Sequence, residues 1–173
     1  MSAHVPVIVI TGSMGSGKTT ILGEASDLLT ERRITHAGID LDTLGIGHVS
    51  EDVWTDLAYR NLSSVWQNYA AAGATRLLLA EAVESVGQLK QIRDAVAGAE
   101  PIVCRLTARL ATMRQRVEQR ERGILRQKFV ARVAELEALL EAVHLEDFSL
   151  ATDQERSVTD TALEMLKRAN WIS

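Results

Sequence analysis

The stretch that decides the fold is VPVIVITGSMGSGKTT, residues 5 to 20. Its first seven residues are a continuous apolar run of the kind that forms a buried strand. The pattern G-x-x-x-x-G-K-[ST] follows from Gly12 to Thr19 and leads into a segment with helical spacing. Glycines allow backbone N–H groups to converge on an anion, and the amino terminus of a helix adds positive potential. The stretch therefore predicts a phosphate-binding loop in which Lys18 reaches the outer phosphates and the Thr19 hydroxyl binds Mg²⁺.

From about Val7 to Leu29, this segment resembles the strand, loop and helix of the P-loop nucleotide-binding proteins. The resemblance implies that ATP and Mg²⁺ are the cofactors and that Thr19 is the metal ligand. It does not by itself distinguish a kinase from an ATPase or a GTPase. The nucleotide contacts that it implies are Gly12, Ser13, Met14, Gly15, Ser16, Gly17, Lys18, Thr19 and Thr20.

Beyond the loop, the chain alternates short apolar runs with longer segments of helical spacing, which indicates an α/β protein with a parallel sheet covered on both faces. In such a sheet, ligands bind at the carboxyl ends of the strands. The predicted strands are Val5 to Thr11, Ile34 to Leu41, Thr75 to Ala80, Ile102 to Leu106 and Phe148 to Ala151. The predicted helices are Lys18 to Glu31, Glu51 to Ala72, Leu110 to Arg122, Phe129 to Val143 and Thr159 to Ala169, the last with Ser157 as its cap.

Composition and charge restrict the class of protein. The chain has 173 residues, of which 46% are hydrophobic, and a formal net charge of -4. These values predict one globular domain over 1–173, in the cytoplasm, with no general attraction to nucleic acid or membrane. The single cysteine, Cys104, lies in an apolar run and is expected to be a buried hydrophobe in a reducing compartment. No signal peptide or membrane span is expected.

Two carboxylates, Asp40 and Asp42, stand where the second strand ends. Alternate residues of a strand share a face, so Asp40 and Asp42 are expected to point the same way, able to orient an acceptor hydroxyl, take its proton or hold Mg²⁺ through water. Either of the two is a candidate base; the alternative is that one caps the following turn. This end of the strand resembles the Asp-Gly-Asp of adenylylsulfate kinases and the related gluconate and antibiotic kinases, although Leu41 replaces the glycine.

The most basic segment follows the fourth predicted strand, from Arg105 to Gly123. Arg109, Arg116 and Arg120 are spaced to share one helix face, beside an apolar stripe of Leu106, Leu110, Met113 and Val117. In small P-loop kinases, which this segment resembles, such a helix leads to a lid whose arginines stabilise the transferred phosphoryl group. The resemblance implies a lid at about 109–128, with Arg116 and Arg120 as catalytic residues. The alternative is a solvated helix with local ion pairs.

Four further positions are weaker candidates. Arg60 follows the acidic loop, in the region that binds the acceptor in small P-loop kinases, and is a candidate substrate contact. Glu81, after the third predicted strand, is the residue that a hydrolase would use to polarise water. The resemblance places Thr152 and Asp153 near the adenine.

The sequence thus predicts a three-layer P-loop fold, with the five-stranded order 2-3-1-4-5 implied by the resemblance. The expected function is transfer of the γ-phosphoryl group of Mg-ATP to a hydroxyl or similar group of a small molecule. Lys18, Asp40 or Asp42, and the two lid arginines would act in that step. The alternative is a nucleotide-dependent regulator or slow ATPase that acts with a protein partner. The Asn-Lys-x-Asp signature of GTPases and the Asp-Glu pair of motor ATPases do not occur in the expected places.

Overall fold

The computed structural model describes residues 4–173, except for the side chains of residues 51, 52 and 55. Five strands and six α-helices alternate along it, with a 3₁₀ turn after the second strand. They are β1 (Val5–Thr11), α1 (Lys18–Glu31), β2 (Ala37–Asp40), the 3₁₀ turn (Leu41–Gly45), α2 (Glu51–Ala71), β3 (Leu77–Ala80), α3 (Val86–Ala95), β4 (Ala99–Thr107), α4 (Leu110–Arg120), α5 (Arg126–Val143), β5 (Phe148–Ala151) and α6 (Val158–Arg168).

All neighbouring strands are parallel, and their order in the sheet is β2-β3-β1-β4-β5. The predicted fold class and strand order are therefore confirmed. Because β1 lies in the middle, the loop that follows it opens at the centre of the carboxyl edge. This is the edge at which parallel sheets bind their ligands.

The strands are apolar on both sides because helices cover both faces of the sheet. In β1, Val7 and Val9 pack into the core shared with α2 and α3, where Leu62 is fully buried. Ile8 and Ile10 point the other way, into the core shared with α1 and α6. A third, smaller cluster contains Met113, Val117 and Val133 from α4 and α5 and lies against Met14 of the loop.

The α4 stripe is only partly as predicted. Met113 and Val117 are buried, whereas Leu106 belongs to β4 and Leu110 is 41% exposed. Leu110 is the first residue of α4, so its side chain precedes the turn that packs on the core. Cys104 is buried as expected, and burial raises the pKa of its thiol to about 12.

A buried ion cluster joins β4 to α5 and to the segment before β5. Arg105 of β4 is almost completely buried, and its guanidinium lies 2.6 Å from Glu137, 2.8 Å from Glu141 and 3.4 Å from Glu146. Several carboxylates around one guanidinium compensate its loss of hydration. Arg105 is therefore a structural residue, distinct from the arginines of α4.

Candidate active site

The glycines of the loop have conformations that other residues rarely adopt. Gly12, Gly15 and Gly17 have φ values of 148°, 79° and 101°. A Cβ atom on Gly15 would lie 2.4 Å from the carbonyl oxygen of Met113, so α4 approaches the loop backbone too closely for a side chain. The Ser13 hydroxyl donates a 2.8 Å hydrogen bond to the Val133 carbonyl. The loop is thus fixed from below by α4 and α5.

The loop ends at the amino terminus of α1. Gly17 is the N-cap residue and has no side chain with which to cap the helix, so the first amides of α1 are available to an anion. The Lys18 ammonium lies over the loop, where it donates to the carbonyls of Gly12 at 2.9 Å and Ser13 at 3.2 Å. Burial lowers the pKa of Lys18, while the carboxylates of Asp42 and Asp40 oppose that shift.

A cleft of about 250 Å³ opens above the loop; we call it the phosphate cleft. It brings together much of the predicted nucleotide site, one of the two acidic candidates and both of the arginines that were predicted to belong to a lid. Its lining residues are Met14, Gly15, Gly17, Lys18, Thr19, Thr20, Asp42, Arg116 and Arg120.

Asp40 and Asp42 do not share a strand face, which corrects the geometry expected from the sequence. β2 ends at Asp40, and Asp42 lies in the following 3₁₀ turn. One Asp40 oxygen accepts from the backbone N–H of Asp42 at 3.2 Å and so caps this turn. The other accepts from the Thr19 hydroxyl at 2.6 Å. The capping alternative is therefore the observed geometry for Asp40, which also contacts the predicted metal ligand.

The Asp42 carboxylate points into the phosphate cleft. Burial is the main cause that raises its pKa, and the neighbouring Asp40 carboxylate acts in the same direction. Lys18 and Arg120 lower the pKa, but their effect is smaller. A carboxylate with a raised pKa accepts a proton more readily, which suits a general base.

Arg116 and Arg120, the two arginines predicted to belong to a lid, differ in their contacts. The half-buried Arg116 donates to the Gly15 carbonyl at 3.1 Å, the Thr152 hydroxyl at 2.9 Å and the Thr152 carbonyl at 2.8 Å. Arg116 therefore ties α4 to the loop and to the end of β5. The exposed Arg120 contacts only Glu121 among the described residues, with its Nε 2.8 Å from the carboxylate. Arg120 is the freer of the two to contact a phosphate.

A second cleft of about 350 Å³ adjoins the phosphate cleft, and Asp42 lines both. Its walls come from the 3₁₀ turn, α2, and the segment between β3 and α3. The lining residues are Leu41, Asp42, Gly45, Trp54, Ala58, Tyr59, Glu81, Ala82, Glu84 and Gln88. We call it the acceptor cleft.

Glu81 is at the base of the acceptor cleft rather than in the phosphate cleft. It is 6% exposed, and its Oε1 accepts a hydrogen bond from the Tyr59 hydroxyl. Burial raises the pKa of Glu81 to about 7; Asp42 and Glu84 add to the rise, and the Tyr59 bond opposes it. The sequence analysis missed the Tyr59–Glu81 pair. A buried tyrosine needs a polar partner, but one sequence does not show which residue supplies it.

Arg60 is not among the residues that line either cleft, and its role as a substrate contact stays a prediction. Arg60 is exposed on α2, with its guanidinium 4.0 Å from the Asp56 carboxylate. Residues of the same helix four apart project from the same face, and this face is turned to solvent. Thr152 contacts the loop, where its hydroxyl donates to the Ser16 carbonyl at 2.7 Å.

Arg109 precedes α4 as its N-cap residue and does not share a helix face with Arg116 and Arg120. Its backbone N–H and guanidinium donate to the Asp153 carboxylate at 2.8 and 3.0 Å. These contacts, the backbone N–H first, lower the pKa of Asp153. Both side chains are thus engaged at the junction of β4, α4 and the exit of β5.

The residues around Thr19 suit a divalent ion. The Thr19 hydroxyl and the Asp40 carboxylate are oxygen donors 2.6 Å apart, and oxygen is the ligand that Mg²⁺ prefers. Among the side chains that the structure describes, no group of three or more His, Cys, Asp and Glu residues could hold a metal ion. Mg²⁺ bound through one or two protein oxygens and substrate phosphates needs no such group.

Solved structures resemble the whole chain. A gluconokinase from Sinorhizobium meliloti 1021 is 16% identical over 98% of this chain and 93% of its own, with a TM-score of 0.61. The chain has the fold of the P-loop small-molecule kinases. An APS kinase from Mycobacterium tuberculosis, in complex with AMPPNP and APS, is 20% identical over 95% of this chain and 96% of its own, with a TM-score of 0.62.

A shikimate kinase from Acinetobacter baumannii, solved with shikimate, is 18% identical over 98% of this chain and 95% of its own, with a TM-score of 0.59. At these identities the likeness concerns the fold. No protein-family model and no curated protein matches the sequence. Among the described residues, no helix is long and apolar enough to cross a membrane.

Proposed function

We propose that this protein is a kinase that transfers the γ-phosphoryl group of Mg-ATP to a hydroxyl or similar group of a small molecule. One observation carries the proposal: Asp42 lines both the phosphate cleft and the acceptor cleft. A phosphoryl group held by the loop and a hydroxyl held in the acceptor cleft would meet at this carboxylate. The three kinases with the same fold support this chemistry.

The phosphates of ATP would bind to the loop amides, the first turn of α1 and the Lys18 ammonium. AMPPNP in the APS kinase complex supports ATP as the donor. Thr19, with Asp40 behind it, would hold Mg²⁺. When bound, this ion neutralises charge on the β- and γ-phosphates.

In the transfer step, Asp42 would orient the acceptor hydroxyl and take its proton as the new oxygen–phosphorus bond forms. The bond between the γ-phosphorus and the β,γ-bridging oxygen breaks, and ADP leaves with that oxygen. Arg120 is our candidate for the group that stabilises charge on the transferred phosphoryl group. Arg116 would hold α4 in place beside it. We propose that 109–128 acts as a lid that excludes water from this step.

The test is mass spectrometry of a cell metabolite extract incubated with Mg-ATP and purified protein. We expect a species that gains one phosphoryl group, formed by the wild type and not by Lys18→Ala. Lys90→Ala is the matched control, because Lys90 is an exposed lysine of α3 that pairs with Asp94. Release of ADP with no phosphorylated product would contradict transfer and favour a slow ATPase or nucleotide-dependent regulator.

A further inference from the structure

The charge of the acceptor cleft is unusual for a kinase whose acceptor is an anion. Asp42, Glu81 and Glu84 line it, and none of its lining residues in the described chain is a lysine or an arginine. The nearest guanidinium in contact with this wall is that of Arg132, which lies 3.0 Å from Glu84. Glu84 thus neutralises that cation at the edge of the cleft. A carboxylate, sulfate or phosphate entering here would find no lysine or arginine among the described lining residues to pair with, and the Asp42 carboxylate would repel it.

A second observation points to a ligand. Glu81 is 6% exposed, so 94% of its surface is removed from solvent. Of its two carboxylate oxygens, only Oε1 has a hydrogen-bond partner. Its Oε2 is buried without a hydrogen-bond partner in the described chain, while the residue lines the cleft. A buried polar atom without a partner is costly. Above the pKa of about 7, where the carboxylate is ionised and Oε2 is an acceptor, a hydroxyl or ammonium group of a bound acceptor would supply the missing donor.

The lining of the acceptor cleft also includes the flat, largely apolar ring of Trp54. Trp54 is half-buried, and its ring lies so close to Gly45 that a Cβ atom there would be 3.0 Å from the ring. Gly45 therefore leaves room for the indole to lie against the 3₁₀ turn. Such a surface packs well against the face of a sugar or an aromatic ring.

We propose that the acceptor of this kinase is an uncharged or amine-bearing ring compound rich in hydroxyl groups and without an anionic group. It would pack against Trp54, donate a hydrogen bond to Glu81 Oε2 and present its reacting hydroxyl to Asp42. This inference rests on the proposed function, because it takes the second cleft as the acceptor site. It separates this protein from kinases whose acceptor is a carboxylate, such as gluconate or shikimate.

The test is a binding experiment that needs no turnover. Protein saturated with Mg-AMPPNP is incubated with a cell metabolite extract to which three matched pairs are added: glucose and gluconate, methyl shikimate and shikimate, and uridine and UMP. Retained compounds are identified by mass spectrometry. Some compounds should be retained by the wild type and lost from Trp54→Ala, and we expect these to be non-anionic. We also expect them to bind at least about tenfold more tightly than their anionic counterparts. Retention of anions alone, or of no compound that depends on Trp54, would overturn the inference.

A second arm tests the contact with Glu81. In Glu81→Gln the side chain keeps its size. If the amide oxygen accepts from Tyr59 in place of Oε1, the NH₂ group replaces Oε2 and turns a hydrogen-bond donor toward the ligand. At about pH 8, where the Glu81 carboxyl is ionised in the wild type, we expect retention of the same compounds by the variant to be about tenfold lower. Glu100→Gln is the matched control, because Glu100 is exposed at the start of β4 and pairs with His4. Equal retention by the two variants would overturn the assigned contact.

The two proposals fail in different ways. If a non-anionic compound is retained through Trp54 and Glu81 but is never phosphorylated from Mg-ATP, the cleft chemistry holds and the kinase function fails. If an anionic metabolite is phosphorylated in a Lys18-dependent reaction, the kinase function holds and the acceptor class is wrong.

Discussion

The Asp42 carboxylate contributes to both clefts, so its substitution should separate nucleotide binding from transfer. In Asp42→Asn, the side chain keeps its size and loses its ability to accept a proton. We expect kcat to fall about 100-fold and the affinity for Mg-ATP to change little. Asp56→Asn, at an exposed position on α2, is the control. Equal losses of turnover and nucleotide affinity would instead assign Asp42 to the metal or to the fold.

The buried Glu81 gives a prediction on stability. Its pKa of about 7 in the folded protein lies above the ordinary value of 4.5. Between these values the folded state binds a proton that the unfolded state releases, so the free energy of unfolding falls as the pH rises through this window. A pKa shift of this size corresponds to a change of about 3 kcal/mol in the free energy of unfolding across the window.

Glutamine does not ionise, so in Glu81→Gln the free energy of unfolding does not fall with rising pH on account of this position. We therefore expect the stability of the variant, relative to the wild type, to rise between about pH 4.5 and 7. Urea unfolding at several pH values measures the difference, with Glu100→Gln as the control. A constant difference across this range would show that Glu81 is ionised in the folded protein.

At the level of single residues, the phosphate-binding loop could be predicted because each position has a local physical task. Asp42 was one of two open candidates, and the structure separates it from Asp40. Glu81 and Tyr59 could not be paired from the sequence, since 22 positions separate them and nothing local links them. Their roles in catalysis and binding stay predictions.

At the level of elements, β1, α1 and β5 have the predicted bounds. β1 is marked locally by its apolar run and α1 by the glycine-rich loop before it, whereas β5 is a short, mostly apolar segment interrupted by Ser149. Helix α3 was missed: Gly87 lies near its start and only Leu89 and Ile92 are buried, so its periodicity is weak. Its one clear signal was Ser85, whose side chain accepts from the Gln88 N–H and caps the helix.

The contacts of α4 predict different roles for its two arginines. Arg116→Ala removes three hydrogen bonds that join α4 to Gly15 and Thr152, and we expect it to lower the free energy of unfolding by about 2 kcal/mol. Arg120→Ala removes only an exposed ion pair, so stability should hardly change, whereas turnover should fall on the order of a thousandfold.

Urea unfolding and steady-state kinetics on both variants check this division. Arg114→Ala, at an exposed position of the same helix two residues before Arg116, is the control. Full turnover in Arg120→Ala would remove this residue from the transfer step.

Across the whole molecule, the parallel sheet accounts for the position of both clefts. Its five strands point the same way, so the loops after β1, β2 and β3 meet at one edge and bring Lys18, Asp42 and Glu81 together. Alternation along the sequence was enough to predict that edge. The charge of the acceptor cleft was not predictable, because it depends on which side chains the packed loops turn inward.

The proposed lid is a property of the whole molecule, since it must respond to a nucleotide held at the centre of the sheet. Arg122 and Ile124 lie between α4 and α5, where Arg122 is exposed and Ile124 is 101% exposed; Arg126 and Lys128 are exposed in the first turn of α5. If the segment closes over bound nucleotide, Mg-AMPPNP should slow trypsin cleavage after these residues severalfold.

Arg33, exposed just after α1, serves as the internal reference for this experiment. Ligand binding stabilises any folded protein against global unfolding, and that effect would slow cleavage at every site alike. If the lid closes, Mg-AMPPNP should slow trypsin cleavage at 122–128 more than it slows cleavage after Arg33. This additional protection should disappear in Lys18→Ala. Equal protection at both places would mean that the segment stays open and that water is excluded in another way.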